Sequence, residues 1–293
     1  MPDGTNVVLL TDGTFEGLLT AVFDSYAYHP APAAVHAASA CQQELGRRYL
    51  EVHTDDAKAE RVIAGVHRGM GTDGYTLIWT GFLSNSVYKE DIIYKYVRYG
   101  MKIGRVIHQK ITDERVLRLQ KLASLVNRES GMLRQFVRFS KMEGGVYYGE
   151  ITPEHNIVAT LMPHFVSRFQ IQPFIIHDKT HGLCGISDTK TWVIASDEDL
   201  QLPHRSADDA AYRRMWKAFY ETIAIKERIN PVCQRNHMPK KYWRHLTEMH
   251  LSNADPDGDE RLPLPSDLLA ERVRALAEGA RALPPDPDAA VYL

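Results

Sequence analysis

Residues 137–151 read VRFSKMEGGVYYGEI, and this stretch decides the fold. Two short apolar runs alternate with polar residues on either side of Glu143-Gly144-Gly145, the pattern of a β-hairpin. The residues just before it have helical periodicity, so a helix-rich chain turns into sheet near Val137. Downstream, residues 174–177, 183–186 and 192–195 form three more short apolar runs, each bounded by turn residues. The expected architecture is α+β. One helix-rich domain covers residues 1–250, with a central antiparallel sheet from about 137 to 195 packed by the surrounding helices.

Working outward, residues 7–10 read as a short strand, followed by the turn Thr11-Asp12-Gly13-Thr14. A helix follows, with Phe15, Leu18, Leu19, Val22, Phe23 and Tyr26 at helical spacing. Residues 30–40 are rich in Pro and Ala and read as a surface loop. A strand over 48–53 leads to Thr54, an expected N-cap for a helix over 55–68 whose first turn carries Asp55 and Asp56. Gly69-Met70-Gly71-Thr72-Asp73-Gly74 matches the dinucleotide fingerprint letter for letter, but that motif needs a strand before it. A helix precedes it here, so the glycines read as a cap and turn. Helices are expected over 78–98 and 113–136.

Beyond the hairpin, Thr152-Pro153 reads as an N-cap with proline in the first turn. Ile157, Val158, Leu161, Met162, Phe165 and Phe169 make the stripe of that helix, with a kink expected at Pro163. A last strong helix over 208–228 is expected to bury Tyr212, Met215, Trp216, Phe219, Tyr220 and Ile223. Residues 251–293 form a polar, Pro-rich tail with a weak helix near 268–281, which reads as mobile.

The composition is that of an ordinary globular protein: 293 residues, 44% hydrophobic and 25% charged, which excludes fibrous and wholly disordered classes. No run approaches eighteen apolar residues, so no membrane helix is expected. The opening MPDGTNVVLL lacks the basic start of a secretory signal. Cys41, Cys184 and Cys233 are scattered and odd in number, which fits reduced thiols in a cytoplasm and cannot supply an iron–sulfur cluster. A zinc site can be sketched from His181 with Cys184 and Cys233 with His237. Nothing in the sequence brings the two pairs together, and Cys184 suits a buried core thiol. No metal and no cofactor is therefore expected.

The formal net charge of −2 conceals segregation. Residues 95–141 hold twelve Lys/Arg against three Asp/Glu, a local charge of +9, and residues 213–245 hold nine against two, or +7. Residues 1–60 and 248–288 each carry −6. Basic blocks interleaved with Tyr, Phe and Trp suit a phosphate backbone, because each contact releases counterions and the rings can stack on bases. Solvated helix faces paired with the acidic segments would give the same counts.

Candidate acid–base residues are few. His164 and Arg168 share a helix face, and His177-Asp178 ends a strand, where side chains often reach a cleft. Glu129, in Arg128-Glu129-Ser130-Gly131, is a further acid. Glu129, His164 and Asp178 are thus the catalytic candidates; a satisfied structural network of His, Arg and Asp is the competing reading. No nucleophile elbow or phosphate loop is present.

The distinctive text is Glu227-Arg228-Ile229-Asn230-Pro231, then Gln234, then Met238-Pro239-Lys240-Lys241-Tyr242-Trp243. Asp12-Gly13-Thr14-Phe15-Glu16-Gly17, Thr54-Asp55 with Lys58-Ala59, Arg138-Phe139, His164-Phe165 with Arg168-Phe169 and Ile175-Ile176-His177-Asp178 accompany it. In this order, over about residues 8–250, they resemble the bacterial "probable DNA metabolism protein" family. That family is built on a domain of unknown function and is described in connection with DNA repair. The resemblance implies a cytoplasmic bacterial protein and a radical-SAM DNA modification or repair partner, which would carry the iron–sulfur cluster. It supplies no catalytic residues. Ser130 stands where the pattern has His, and His181 where it has Arg, which weakens an acid–base mechanism at those positions.

The leading expectation is a DNA-binding repair or modification component. Arg134, Arg138, Arg168, Arg228, Lys240 and Lys241 would contact phosphate, with Tyr242 and Trp243 stacking on an extruded or single-stranded base. The alternatives are an enzyme acting directly on a damaged base through Glu129, His164 and Asp178, and an interaction scaffold without a DNA surface.

Overall fold

The computed structural model describes residues 2–249 apart from 190, 199 and 201–203; the tail over 251–293 and its weak helix lie outside the described residues. The chain is α+β, with two sheets in two compact units, Met1–Arg128 and Glu129–Leu293.

The first unit is built on a three-stranded parallel sheet in the order β2-β1-β3, from β1 (Val7–Thr11), β2 (Ala34–Ala37) and β3 (Arg48–Glu51). β2 corrects the reading of residues 30–40 as loop. Its four residues, AVHA, are too few to show a period, and they become a strand by pairing along β1, with Leu9 opposite Val35. α1 (Phe15–Asp24) starts where Thr14 accepts the Gly17 amide at 2.9 Å. The Asp12 carboxylate accepts the Thr14 amide and the Thr54 hydroxyl, joining the ends of β1 and β3. Because Thr54 is used in this way, Asp55 caps the next helix, accepting the Lys58 amide at 3.1 Å.

That helix, α2 (Asp56–Phe82), runs through the glycine motif instead of stopping there. The expected turn is a kink at Gly71, whose φ of 77° only glycine adopts freely. α3 (Lys89–Ile103) and the first part of α4 (Glu114–Phe136) complete the unit. Leu18, Val22, Val35, Val66, Ile93, Val97 and Leu119 are buried together in its core.

The second unit holds the sheet read from residues 137–151. β4 (Phe139–Lys141) and β5 (Tyr147–Ile151) form the expected antiparallel hairpin, with Ser140 opposite Tyr148. β6 (Phe174–Asp178), β7 (Leu183–Ser187) and β8 (Trp192–Ser196) extend it in the order β4-β5-β6-β7-β8. The sheet is mixed, not antiparallel throughout: β5 and β6 run parallel, with Ile151 opposite Asp178. A helix interposed between two strands carries the chain back to start the second from the same end as the first, which forces this pairing.

That helix is α5 (Val158–Arg168), which begins later than Thr152-Pro153 suggested and continues through Pro163. Its stripe is buried as expected, from Ile157 to Phe165. It lies over the sheet at Gly185, where an added Cβ would come within 2.4 Å of the Met162 sulfur.

α6 (Asp209–Ile223) is shorter than expected, and its apolar stripe is not buried. Tyr212, Met215, Trp216, Phe219 and Ile223 are exposed, and Tyr220 is half-buried. Periodicity identifies an apolar face, but it does not guarantee a surface to cover that face. α7 (Pro231–His237) follows, capped by Asn230, and residues Lys240–His245 and Thr247–Met249 form short 3-10 turns. No helix among the described residues is long and apolar enough to cross a membrane.

Candidate functional site

The parallel pair β5–β6 sends two loops out from one edge of the second unit's sheet. Ile151 and Asp178 end the strands side by side, and the Lys179 amide donates to the Ile151 carbonyl at 3.0 Å. Polar residues that follow parallel strands gather at the carboxyl edge, the usual place for a site in such a sheet.

Glu129 organises the first loop. It is only 5% exposed, and its carboxylate accepts the backbone amides of Glu154 at 3.0 Å and His155 at 2.9 Å. It also accepts the Lys241 ammonium at 3.0 Å and the Tyr242 hydroxyl at 3.1 Å. These bonds hold residues 152–155 as a loop, which is why no helix starts at Thr152. Burial alone would raise the carboxyl pKa, but the two amides and Lys241 outweigh it and hold Glu129 below the usual carboxylate range. A carboxylate so saturated is an ionised anchor; it has no proton to give at neutral pH.

Asp178 organises the second loop. Fully buried, it accepts the amides of Thr180 and His181 and pairs with the His181 ring at 2.6 Å. Buried His155, in the first loop, lies within the electrostatic reach of Glu129, Glu154, Lys241 and His181. Burial depresses its pKa, so its ring is neutral at neutral pH.

His164 lies apart from both anchors. Its pKa is lowered by burial and then by the charges of Arg134 on α4 and Arg168 on α5. Arg134 donates to the Thr160 carbonyl at 3.0 Å, a neutral partner, and Arg168 is exposed with no carboxylate partner among the described residues. Glu129, His164 and Asp178 each have their own partners, and no hydrogen bond joins any two of them among the described residues. Arg134, His164 and Arg168 do come together.

The remaining basic candidates divide. Arg138 pairs with Glu248 at 2.6 Å, and Lys241 pairs with Glu129, so both charges are compensated. Arg228 and Lys240 are exposed, Lys240 lying over the Trp243 ring. Trp243 is half-buried and donates its indole N–H to the Met238 carbonyl. Tyr242 is 1% exposed, its ring set against Phe136 and its hydroxyl pushed up to about 12 mainly by burial. It has no open face for a base.

A second polar line crosses the opposite face of the sheet, and of its members the sequence pointed only to His177. His177 on β6 lies between the Tyr148 hydroxyl on β5, 2.8 Å from Nδ1, and the Asp197 carboxylate, 2.9 Å from Nε2. The tautomer that serves both carries its proton on Nε2, donating to Asp197, and accepts the tyrosine proton at Nδ1. Cys184 sits opposite His177, fully buried, its thiol pushed up to about 12 by burial and the nearby acids. It is a core thiol. For Tyr148 the sequence signal was a polar group alternating with apolar ones along its strand. Cys233 is exposed beside His237, and no three His, Cys, Asp or Glu side chains gather as a metal ion would need among the described residues.

Residues 88–248 match the model of a family described as a domain of unknown function, DUF4130. The chain belongs to that family. The DUF4130 match covers more than half of the chain, from the residue before α3 to Glu248, and takes in both strand-end loops and the Arg134–His164–Arg168 cluster. No curated protein and no solved structure matches the chain.

Proposed function

We propose that this DUF4130 protein is a nucleic-acid-binding component of DNA repair or DNA modification, acting in the cytoplasm beside a radical-SAM enzyme. The observation that carries the reading is that Arg134 and Arg168, two guanidinium groups without carboxylate partners among the described residues, both act electrostatically on the His164 imidazole and hold it toward its neutral form. Guanidinium forks match phosphate oxygens bidentately, and a neutral imidazole adds a donor without adding repulsion. Arg228 and Lys240 extend the basic surface, while Arg138 and Lys241 serve the fold. The radical-SAM partner rests on the family resemblance alone.

The test is equilibrium binding of a fluorescent oligonucleotide across a salt series. Arg134→Glu/Arg168→Glu is expected to weaken binding about tenfold and to flatten the dependence on salt by about 1.4 in log–log slope for a single strand. Binding that is weak and indifferent to salt in the unmodified protein would end the reading and favour an interaction scaffold.

The Tyr148–His177–Asp197 line favours a second reading, an enzyme acting on a damaged base. A histidine held by a carboxylate and bonded to a hydroxyl can move a proton. This reading expects turnover of lesion-containing oligonucleotides by this chain alone, lost in His177→Ala or His164→Ala. Absence of turnover over a broad lesion panel would remove it.

A further inference from the structure

The first unit carries a cleft of about 480 Å³ along one face of α3, lined by Lys95, Arg98 and Lys102, with Arg115 from α4. The three α3 residues are spaced i, i+3 and i+7, so they form one stripe. No carboxylate lines the cleft. The opposite wall is Ala31-Pro32-Ala33, fixed to α3 by the Tyr94 hydroxyl, which donates to the Pro32 carbonyl at 2.9 Å.

The four cations differ in how far they are compensated. Lys95 pairs with Asp91 at 2.6 Å, and Arg115 is held by Asp113 at 2.7 Å. Arg98 has neutral partners, the Ser25 hydroxyl at 3.1 Å and the face of Tyr26. Lys102 has no ion-pair partner among the described residues. The Arg115 guanidinium lies over the Tyr99 ring, 3.5 Å from its centre, which fixes its plane at the cleft. Net positive charge therefore faces a flat apolar wall across a space of ligand size.

We propose that this cleft binds single-stranded nucleic acid, taking backbone phosphate on Arg98 and Lys102 of the α3 stripe and an unstacked base against the Ala31–Ala33 wall. The assignment rests on the nucleic-acid reading above and adds a site that none of its residues belongs to. A duplex keeps its bases paired and stacked and has nothing to offer the apolar wall, whereas a single strand presents both chemistries together.

The experiment measures fluorescence anisotropy of a labelled oligo(dT) and of a labelled duplex with the full chain and its variants. Arg98→Gln/Lys102→Gln removes the two cleft charges that no carboxylate compensates, Arg98→Lys/Lys102→Arg retains them, and thermal melting checks that each variant folds. The glutamine pair is expected to weaken oligo(dT) binding about tenfold and lower its salt slope by about 1.4, the value for two lost contacts. The charge-retaining pair is expected to keep both, and duplex binding to change little. Unchanged oligo(dT) affinity in the glutamine pair, with the unmodified chain binding normally, overturns the cleft and leaves the nucleic-acid reading standing. A chain that binds no oligonucleotide even at low salt overturns both.

Discussion

Glu129→Ala is expected to destabilise the second unit by about 3–5 kcal/mol, read as a lower midpoint of urea unfolding. The size follows from what the carboxylate holds. Two backbone amides, an ammonium and a phenol converge on one buried group, and hydrogen bonds to a charged acceptor are the strong ones. Alanine leaves the His155 amide and the Tyr242 hydroxyl without their acceptor in a site closed to water. Lys241 is partly exposed and can turn to solvent, so its share of the loss is small. Glu129→Gln keeps the volume and one accepting oxygen, but it points an amide at donors, so it should lose less than alanine while still losing.

The same group predicts a pH dependence. Its pKa in the folded chain lies below the usual carboxylate value, because the donors outweigh burial. Glu129 therefore contributes stability fully above its unfolded pKa, near 4.3, and that contribution disappears as pH falls through the lower folded value. In Glu129→Gln the acid limb of the stability curve should be shallower than in the unmodified chain. Identical slopes below pH 5 would show that the carboxylate is not the anchor described.

Local pattern made much of this fold legible. The hairpin at 137–151, the strands of the second sheet and the α5 stripe follow from alternation and helical spacing, and the structure has them where the pattern puts them. What depends on distant partners was not legible. Thr152-Pro153 has the chemistry of a helix start, but Glu129, some two dozen residues earlier, takes the next amides and keeps the segment a loop. Gly69–Gly74 has the chemistry of a turn, but only Gly71 departs from helical geometry. Tyr242 and Lys241 look like surface groups within a basic run, but a carboxylate more than a hundred residues away binds both, and the tyrosine is buried. The cleft on α3 was present in the basic count of residues 95–141, but a count carries no direction. Helical spacing within Lys95, Arg98 and Lys102 was the signal that could have located it.

Glu248→Ala is expected to cost about 2–4 kcal/mol and to release α6, seen as faster hydrogen exchange of its amides. An isolated helix of fifteen residues is marginal in water, and helices in proteins are held mainly by burying an apolar face. α6 does not bury its face, since Met215, Phe219 and Ile223 are all exposed. Polar attachments must therefore carry more of the load. Glu248 accepts the Trp216 indole N–H at 2.9 Å and two Arg138 nitrogens at 2.6 and 3.3 Å, with the guanidinium over the indole ring. Asp209 accepts the Lys141 amide at 2.9 Å at the start of the helix, and the Tyr220 hydroxyl accepts from Gln234 at 3.2 Å further along. Removing Glu248 takes away the attachment at Trp216, in the middle of the helix, and it leaves a largely buried guanidinium without its counter-charge. Glu248→Gln keeps an acceptor for Trp216 and should retain part of the protection. Burial opposes the charge on Glu248, but Arg138 and Trp216 hold its pKa below the usual range, so α6 should loosen in the unmodified chain as pH falls through that lowered value. If exchange in α6 were already fast in the unmodified chain and unchanged by Glu248→Ala, the helix would not be held by this contact.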